Sequence, residues 1–103
     1  MLRLPCVVIG WQRGVAGVHG LLVAGQHNGS LRYLARVRTG FTDAERRRLA
    51  SVLAAARVRS RPVVPCPEKG LWLEPKLLCQ VSYLEETRAG RLRGASFNGL
   101  LGG

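Results

Sequence analysis

Residues 31–39 read LRYLARVRT, and this stretch decides the fold prediction because its apolar and basic side chains alternate. The apolar positions are Leu31, Tyr33, Ala35 and Val37. The positions between them are Arg32, Leu34, Arg36 and Arg38. Alternation with a period of two is typical of a β-strand with one face in a core and the other outside it. The stretch therefore predicts a strand whose outer face presents a stripe of three arginines.

The segments before this strand predict a β-meander. Residues 7–11 and 21–24 are short β-rich runs, and each is long enough for a strand. Residues 12–20 carry three glycines and predict a flexible loop between the two runs. Asn28-Gly29 follows the second run, and this dipeptide between two β-like segments is the strongest short-range signal for a hairpin.

The segments after residues 31–39 predict one helix and two more strands. Thr42 and Glu45 have the T-x-x-E spacing of a capping box, which marks a helix start. The apolar stripe of this helix consists of Leu49, Val52, Leu53 and Ala56. Residues 57–70 contain three prolines and predict a loop, and residues 71–84 predict strand with Pro75 at an edge or bulge. Residues 91–93 predict a short last strand with Arg91 and Arg93 on one face.

The order β-β-β-α-β-β predicts the fold class all-β with one helix, a five-stranded Greek-key OB barrel formed by a single domain over residues 1–103. An SH3-like barrel is the alternative, although it does not normally hold such a helix between its third and fourth strands. The helix that begins at residues 42–45 therefore favours the OB arrangement.

The charge of the chain indicates a polyanionic partner. Sixteen basic residues against six acidic ones give a net charge of +10, and all the bases except Lys69 and Lys76 are arginines. Arginine makes flat, bidentate contacts with phosphate, and neutralised phosphates release counterions, so nucleic acid is the expected partner. The alternative is a solvated basic surface, and we assign residues 46–48 of the helix to such a surface.

Several classes of function are excluded by what the sequence lacks. No segment resembles a signal peptide or a membrane span, which predicts a soluble, cytoplasmic protein without a membrane partner. The three cysteines have no C-x-x-C spacing, and neither histidine has a ligand-spaced neighbour, so we predict no metal site. Neither lysine lies in a K-x-D-G or phosphate-loop motif. We therefore predict no catalytic residue and no cofactor in this chain.

Four stretches, taken in order, carry a resemblance to a known family. They are residues 7–23 with their glycine-rich centre, the LRY and RVRTGF segments of residues 31–41, WLEPKL at residues 72–77, and TRAGRLR with SF and GL at residues 87–100. The set resembles the C-terminal OB domain of ATP-dependent DNA ligases, especially the bacterial ligases of end joining. The match covers nearly the whole chain.

The resemblance implies a division of labour between two domains. A separate nucleotidyltransferase domain, in cis or in trans, carries the adenylated lysine together with ATP and Mg²⁺. The OB domain clamps nicked duplex DNA through its phosphates, so this chain alone is expected to be inactive. The DNA-binding residues are then expected to be Arg32, Arg36, Arg38, Arg91 and Arg93. Gly94-Ala95 replaces a family H-P pair, and no basic residue follows Leu100, which argues against help with ATP chemistry.

Two other functions are also compatible with the sequence. A free-standing OB module for single-stranded nucleic acid would stack bases on aromatic side chains, yet aromatic residues make up only 6% of this chain. A scaffolding barrel would instead offer its basic face to an acidic protein. The sequence also leaves open the oligomeric state, and whether the chain acts alone or within a longer ligase.

Overall fold

A computed structural model describes residues 1–15 and 17–101 of the chain. The elements before and including the helix are β1 (Leu2–Gly14), β2 (Gly17–His27), β3 (Ser30–Val37) and α1 (Asp43–Ala54). Those after it are β4 (Val58–Arg59), β5 (Leu71–Tyr83), β6 (Glu85–Glu86), β7 (Leu92–Arg93) and β8 (Ser96–Leu100). The predicted class and the predicted order are confirmed. The short strands β4 and β6 are additions, and the predicted last strand is followed by β8.

The main sheet is antiparallel and has the strand order β3-β2-β1-β5-β4, with β8 also paired to β5. β6 and β7 form a separate two-stranded ribbon. β8 reaches the end of β3 through one hydrogen bond, in which the Phe97 amide donates to the Thr39 carbonyl at 2.8 Å. The strands thus curl around one interior, as in the partly open barrel of an OB fold.

The predicted hairpin between β2 and β3 is confirmed. Asn28 and Gly29 have φ angles of +51° and +81°, and His27 and Ser30 form the last pair of the ladder. Two consecutive positive φ angles are the mark of a type I′ turn, whose twist matches that of the flanking strands. Asparagine and glycine are the residues that adopt this geometry at least cost.

The prediction of a flexible loop over residues 12–20 is wrong. β1 continues to Gly14 and β2 begins at Gly17, and the pairing runs through Gln12↔Gly20 and Arg13↔Val18. The glycines of this segment therefore lie within a long hairpin, where the ladder pairs their backbone groups. Ala16, which the same prediction covered, lies outside the described residues, as do Gly102 and Gly103.

The helix begins as its capping box predicts. The Thr42 hydroxyl accepts a hydrogen bond from the Glu45 amide at 3.1 Å, and the Glu45 carboxylate accepts one from the Thr42 amide at 2.9 Å. Leu49 and Leu53 are buried and pack into the barrel interior. This packing places α1 against the barrel, in contact with β2. Among the described residues, no helix is both long and apolar enough to cross a membrane.

Pro75 lies at a break in the pairing of β5, as predicted. β1 pairs with β5 up to Val8↔Leu77 and resumes only at Gly10↔Trp72, so residues 73–76 bulge away from β1. β4 pairs with part of this region, opposite Trp72 and Leu73. The bulge therefore opens an edge that receives the short strand β4, within residues that the sequence predicts as loop.

The apolar residues form two clusters on opposite faces of the sheet. The inner cluster fills the barrel and includes Val8, Leu34, Val81 and Phe97. The outer cluster consists of Val7, Ile9, Leu22, Ala24 and Tyr33. Residues 60–70, which we call the strap, cover this outer cluster with Val63, Val64 and Cys66. The strap is thus held by apolar contacts although it contains only coil and bends.

A β-bulge in β3 changes which side chains share a face. On β2, the adjacent residues Val23 and Ala24 pair with Ala35 and Tyr33. Leu34 is therefore an extra residue in β3. Because of it, Leu34 and Ala35 both join the inner cluster, whereas Tyr33 joins the outer one. The strict alternation predicted for residues 31–39 is interrupted at this point.

Candidate nucleic-acid interface

Three of the five predicted arginines line one groove. Arg36 and Arg38 extend from the end of β3, and Arg91 reaches the same place from the segment before β7. The groove encloses about 300 Å³ and is open to solvent, with Tyr33 and Glu68 also in its wall. We call it the β3 groove. It places three guanidinium groups of the barrel around one concave surface.

Arg91 is held in place from two directions. Its guanidinium lies over the ring of Tyr33, 4.7 Å from the centroid, in a cation–π contact. Its backbone closes a tight turn, since its amide donates to the Thr87 hydroxyl at 3.0 Å and its carbonyl accepts from the Thr87 amide at 2.7 Å. Arg91 therefore presents its charge to the groove in one prepared orientation.

Tyr33 serves as the support for Arg91. Its side chain is buried, and burial is the main cause that raises the pKa of the hydroxyl to about 12, with the charge of Glu68 acting in the same direction. The phenol consequently stays neutral at physiological pH. A neutral, buried ring offers an apolar platform whose face attracts the guanidinium.

Arg36 is partly neutralised by the strap. Its guanidinium forms an ion pair with Glu68 at 3.1 Å, and both side chains are about one-third exposed, at 32% and 31%. Thirty-two positions separate the two residues, so no local pattern in the sequence indicates the pair. A carboxylate thus lies inside the groove, where a phosphate would otherwise meet Arg36.

Arg38 is the freest of the three. Its side chain is exposed and has no ion pair among the residues that the structure describes. Its backbone is fixed, because the guanidinium of Arg46 on α1 donates to the Arg38 carbonyl at 3.4 Å. The position of Arg38 is therefore set by the helix, while its charge is available to a ligand.

The predicted stripe of three arginines on β3 is wrong for Arg32. The bulge at Leu34 puts Arg32 on the side of the strand that faces the barrel end, where it lies beside Leu34, Leu92 and Glu86. Its guanidinium contacts Gly90 and forms a 3.4 Å ion pair with Glu86. Its Nε is buried and has no hydrogen-bond partner among the described residues. Arg32 thus links β3 to the β6–β7 ribbon.

Arg93 also lies outside the groove. It is exposed on β7 and pairs with Glu85 of β6 at 3.1 Å. Leu92, between Arg91 and Arg93, is buried, which agrees with the prediction that the two arginines share a face. The groove wall nevertheless contains only Arg91 of this pair.

Each of the six acidic side chains of the chain either forms an ion pair or lies at the start of α1. Glu68, Glu74, Glu85 and Glu86 pair with Arg36, Lys76, Arg93 and Arg32. Asp43 and Glu45 lie in the first turn of α1, where their negative charges interact favourably with the positive end of the helix dipole. The excess positive charge is therefore carried by arginines elsewhere. Among them are Arg57, Arg59 and Arg61, which lie in the segment predicted as a loop.

The cysteines and histidines offer no alternative site. Cys6 and Cys79 are buried partners on β1 and β5, and burial raises the pKa of their thiols to about 11 and about 12. Cys66 is half-buried in the strap, and its pKa is also raised by burial. Across residues 1–15 and 17–101, no three His, Cys, Asp or Glu side chains lie together as metal ligands would.

Known proteins resemble this chain over most of its length. The sequence profile of the family described as ATP dependent DNA ligase C terminal region matches residues 15–101. The multifunctional non-homologous end joining protein LigD of Pseudomonas aeruginosa is 36% identical over 110 residues, which cover 96% of this chain and 13% of that protein. The LigD protein of Mycobacterium tuberculosis strain H37Rv is 36% identical over 103 residues, covering 91% of this chain and 14% of its own length.

Solved structures show the same fold. The crystal structure of the ligase domain from M. tuberculosis LigD superposes with a TM-score of 0.85 at 35% identity, over 96% of this chain and 35% of that one. A mycobacterial DNA ligase D complexed with ATP and MES gives a TM-score of 0.79 at 31% identity, over 96% of this chain and 34% of that one. The chain thus spans about one-seventh of the curated relatives and about one-third of the solved ligase chains.

The barrel topology, the capped helix between β3 and β5, and the profile match over residues 15–101 agree with the family that the sequence motifs indicated. This chain belongs to the family of C-terminal OB domains of ATP-dependent DNA ligases, of the bacterial end-joining type.

Proposed function

We propose that this domain grips nicked duplex DNA by its phosphates while a separate nucleotidyltransferase domain joins the strand. The observation that carries the proposal is the convergence of Arg36, Arg38 and Arg91 on one open groove. Guanidinium groups match the geometry of phosphate oxygens, and phosphate contacts hold a duplex without specifying its sequence. Such contacts suit a domain that must accept any broken end. The same partner supports the predicted cytoplasmic location.

The aromatic residues favour the duplex over a single strand. Single-strand OB modules stack bases on exposed aromatic faces. Here Trp11, Tyr33 and Phe97 are buried, and guanidinium groups cover the rings of Trp11 and Tyr33. Trp72 is half-buried and packs on Gly10. The β3 groove therefore offers charge to the phosphates and no stacking platform to the bases.

The nucleotidyltransferase partner and its ATP and Mg²⁺ belong to this proposal as well. The relatives extend far beyond the length of this chain, and the remaining two-thirds of the solved ligase chains leave room for such a domain. We propose no role in ATP chemistry for the C-terminal strands of this chain. β8 has no basic side chain, Arg93 is paired with Glu85, and Lys76 is paired with Glu74. No step through ATP is assigned to this chain.

The test is a charge reversal in the groove. The purified domain should bind a nicked duplex with a Kd on the order of micromolar at low salt, and the affinity should fall steeply as salt rises. Arg36→Glu combined with Arg38→Glu should abolish binding, measured by fluorescence anisotropy. Arg47→Glu combined with Arg48→Glu, on the exposed face of α1, is the matched control and should retain most of the affinity.

Two results would contradict the proposal. Binding that survives the double reversal in the groove would show that the DNA lies elsewhere on the barrel. A preference for single-stranded DNA in a competition experiment would favour the single-strand module. A domain that binds no nucleic acid even at low salt would instead favour the protein-interaction barrel.

A further inference from the structure

Three exposed arginines lie close together at the edge formed by β4. Arg57 directly precedes this strand, Arg59 is its second residue, and Arg61 is the second residue of the strap. Within residues 1–15 and 17–101, none of the three forms an ion pair, because the six carboxylates are engaged at other places. We call them the β4 arginines. They are a dense local charge, and the carboxylate at this edge, that of Glu74, pairs with Lys76 instead.

The backbone that carries the β4 arginines is well anchored. The Arg57 carbonyl accepts a hydrogen bond from the Glu74 amide at 3.0 Å. Val58 and Arg59 then pair with Leu73 and Trp72 of β5. The Nε of Arg59 donates to the Arg61 carbonyl at 3.2 Å, which fixes the turn into the strap. The arginines are therefore presented from a defined scaffold.

Arg59, the central residue of the β4 arginines, shares one face of the sheet with the β3 groove. Arg59 is directly opposite Trp72, and cross-strand partners project to the same side. Trp72 packs with the outer cluster, to which Tyr33 also belongs. The ring of Tyr33 in turn packs against the guanidinium of Arg91. Arg59 consequently lies on the face that bears the β3 groove, at the opposite end of the strand order β3-β2-β1-β5-β4.

The distance between the two clusters suits one stretch of duplex. Four steps between neighbouring strands, at about 4.8 Å each, give a path of roughly 19 Å along the curled sheet, which is the upper limit of the straight separation. A duplex advances about 3.4 Å per base pair, so the two clusters lie within about six base pairs of each other. The strap lies between the two clusters and brings only one carboxylate, that of Glu68.

We propose that the β4 arginines form a second phosphate-binding surface, so that one DNA duplex is held at both the β3 groove and the β4 edge. This inference rests on the proposed function, because it assigns an additional contact to the same ligand. Each phosphate that is neutralised releases condensed counterions, and the salt dependence of binding reports their number. The β4 arginines therefore have a measurable signature apart from their effect on affinity.

The experiment replaces all three arginines by glutamine and measures the affinity for a nicked 20-base-pair duplex across a range of salt concentrations. If each arginine contacts one phosphate, the slope of log K against log salt should flatten by about 2 to 3. The affinity at low salt should fall by a factor on the order of ten or more. Arg57→Gln with Arg61→Gln, which keeps the Arg59 hydrogen bond, should produce about two-thirds of the change in slope.

The matched control removes the same charge from other exposed positions, with Arg3→Gln, Arg47→Gln and Arg48→Gln. A loss in the control equal to that in the β4 variant would overturn the inference, because it would reflect net charge alone. An unchanged slope in the β4 variant would overturn it as well. Failure of the proposed function is distinguishable, since it appears as survival of binding in the Arg36→Glu/Arg38→Glu variant or as no binding by the unmodified domain.

Charged side chains on an edge strand can also protect against pairing between molecules. If this were the role of the β4 arginines, the triple variant would self-associate in size-exclusion chromatography while each folded monomer bound DNA with an unchanged slope. That pattern would overturn the inference. Circular dichroism and thermal unfolding of each variant confirm that the fold is retained before binding is compared.

Discussion

The ion pair between Glu68 and Arg36 makes a prediction that is opposite to the usual loss of function. Glu68 occupies the side of Arg36 that a phosphate would use, so DNA must displace the carboxylate or share the guanidinium with it. Glu68→Gln removes the negative charge but keeps the size of the side chain. We therefore expect this variant to bind DNA more tightly than the unmodified domain.

The magnitude follows from the exposure of the pair. Its atoms are 3.1 Å apart, but about one-third of each side chain meets water, which screens the attraction. Pairs of this kind contribute roughly 0.2–1 kcal/mol. Removing the competitor should therefore increase the affinity by about 1.5- to 5-fold at low salt, and the free energy of unfolding should fall by no more than about 1 kcal/mol. The gain should shrink as salt rises, because screening weakens both interactions.

Anisotropy titrations of a nicked duplex at two salt concentrations measure this gain. Glu45→Gln is the matched control, since it removes one charge from the α1 side, where Glu45 lies beside Phe97 and Leu100. An amide oxygen can still accept the hydrogen bond of the capping box, so the helix start is retained. Weaker binding by Glu68→Gln would refute the reasoning, because it would mean that Glu68 orients Arg36 for the phosphate. Equal gains in both variants would refute it too.

Two further predictions concern the fold. Gly40→Ala should destabilise the domain by more than about 2 kcal/mol in urea unfolding, because φ is +91° and a Cβ would lie 2.7 Å from the Phe97 amide nitrogen. The stability should also fall at alkaline pH: burial raises the pKa of Cys6 and Cys79 to about 11 and 12, so the folded domain keeps protons that the unfolded chain loses above about pH 9. Stability should be complete below pH 9 and decline towards pH 12 by roughly 3 kcal/mol for Cys6 and roughly 4 kcal/mol for Cys79. Cys79→Ala should flatten this decline, measured as the free energy of unfolding against pH.

Local chemistry explains why much of the fold could be predicted. The I′ turn at Asn28-Gly29 needs two positive φ angles, and the capping box needs Thr42 and Glu45 three residues apart. Both requirements are met by neighbours in the chain, so the sequence displays them directly. The order of elements follows from such markers. The glycines of residues 12–20 were misleading because glycine is also accommodated inside a twisted hairpin, where pairing across the chain decides the conformation.

The candidate site was less predictable because long-range contacts decide it. The bulge at Leu34 depends on the register between β2 and β3, which alternation alone does not reveal, and it moves Arg32 out of the expected stripe. Glu68 reaches Arg36 only because the strap packs on the outer cluster. The sequence predicted Arg91 as the first residue of the last strand, whereas β7 begins at Leu92, and its place over Tyr33 required the fold.

The three arginines of the β3 groove differ in what a phosphate must overcome to meet them. Arg91 is already ordered on Tyr33, so it loses little conformational entropy on binding. Arg38 is free of ion pairs among the described residues and loses the entropy of a long exposed side chain. Arg36 has to exchange a carboxylate for the phosphate. Because two of the three contacts carry such a cost, the groove by itself should hold DNA weakly and in a salt-sensitive way. A second set of arginines at the β4 edge would then add phosphate contacts to those of the groove, which remain necessary for binding, without fixing the DNA sequence.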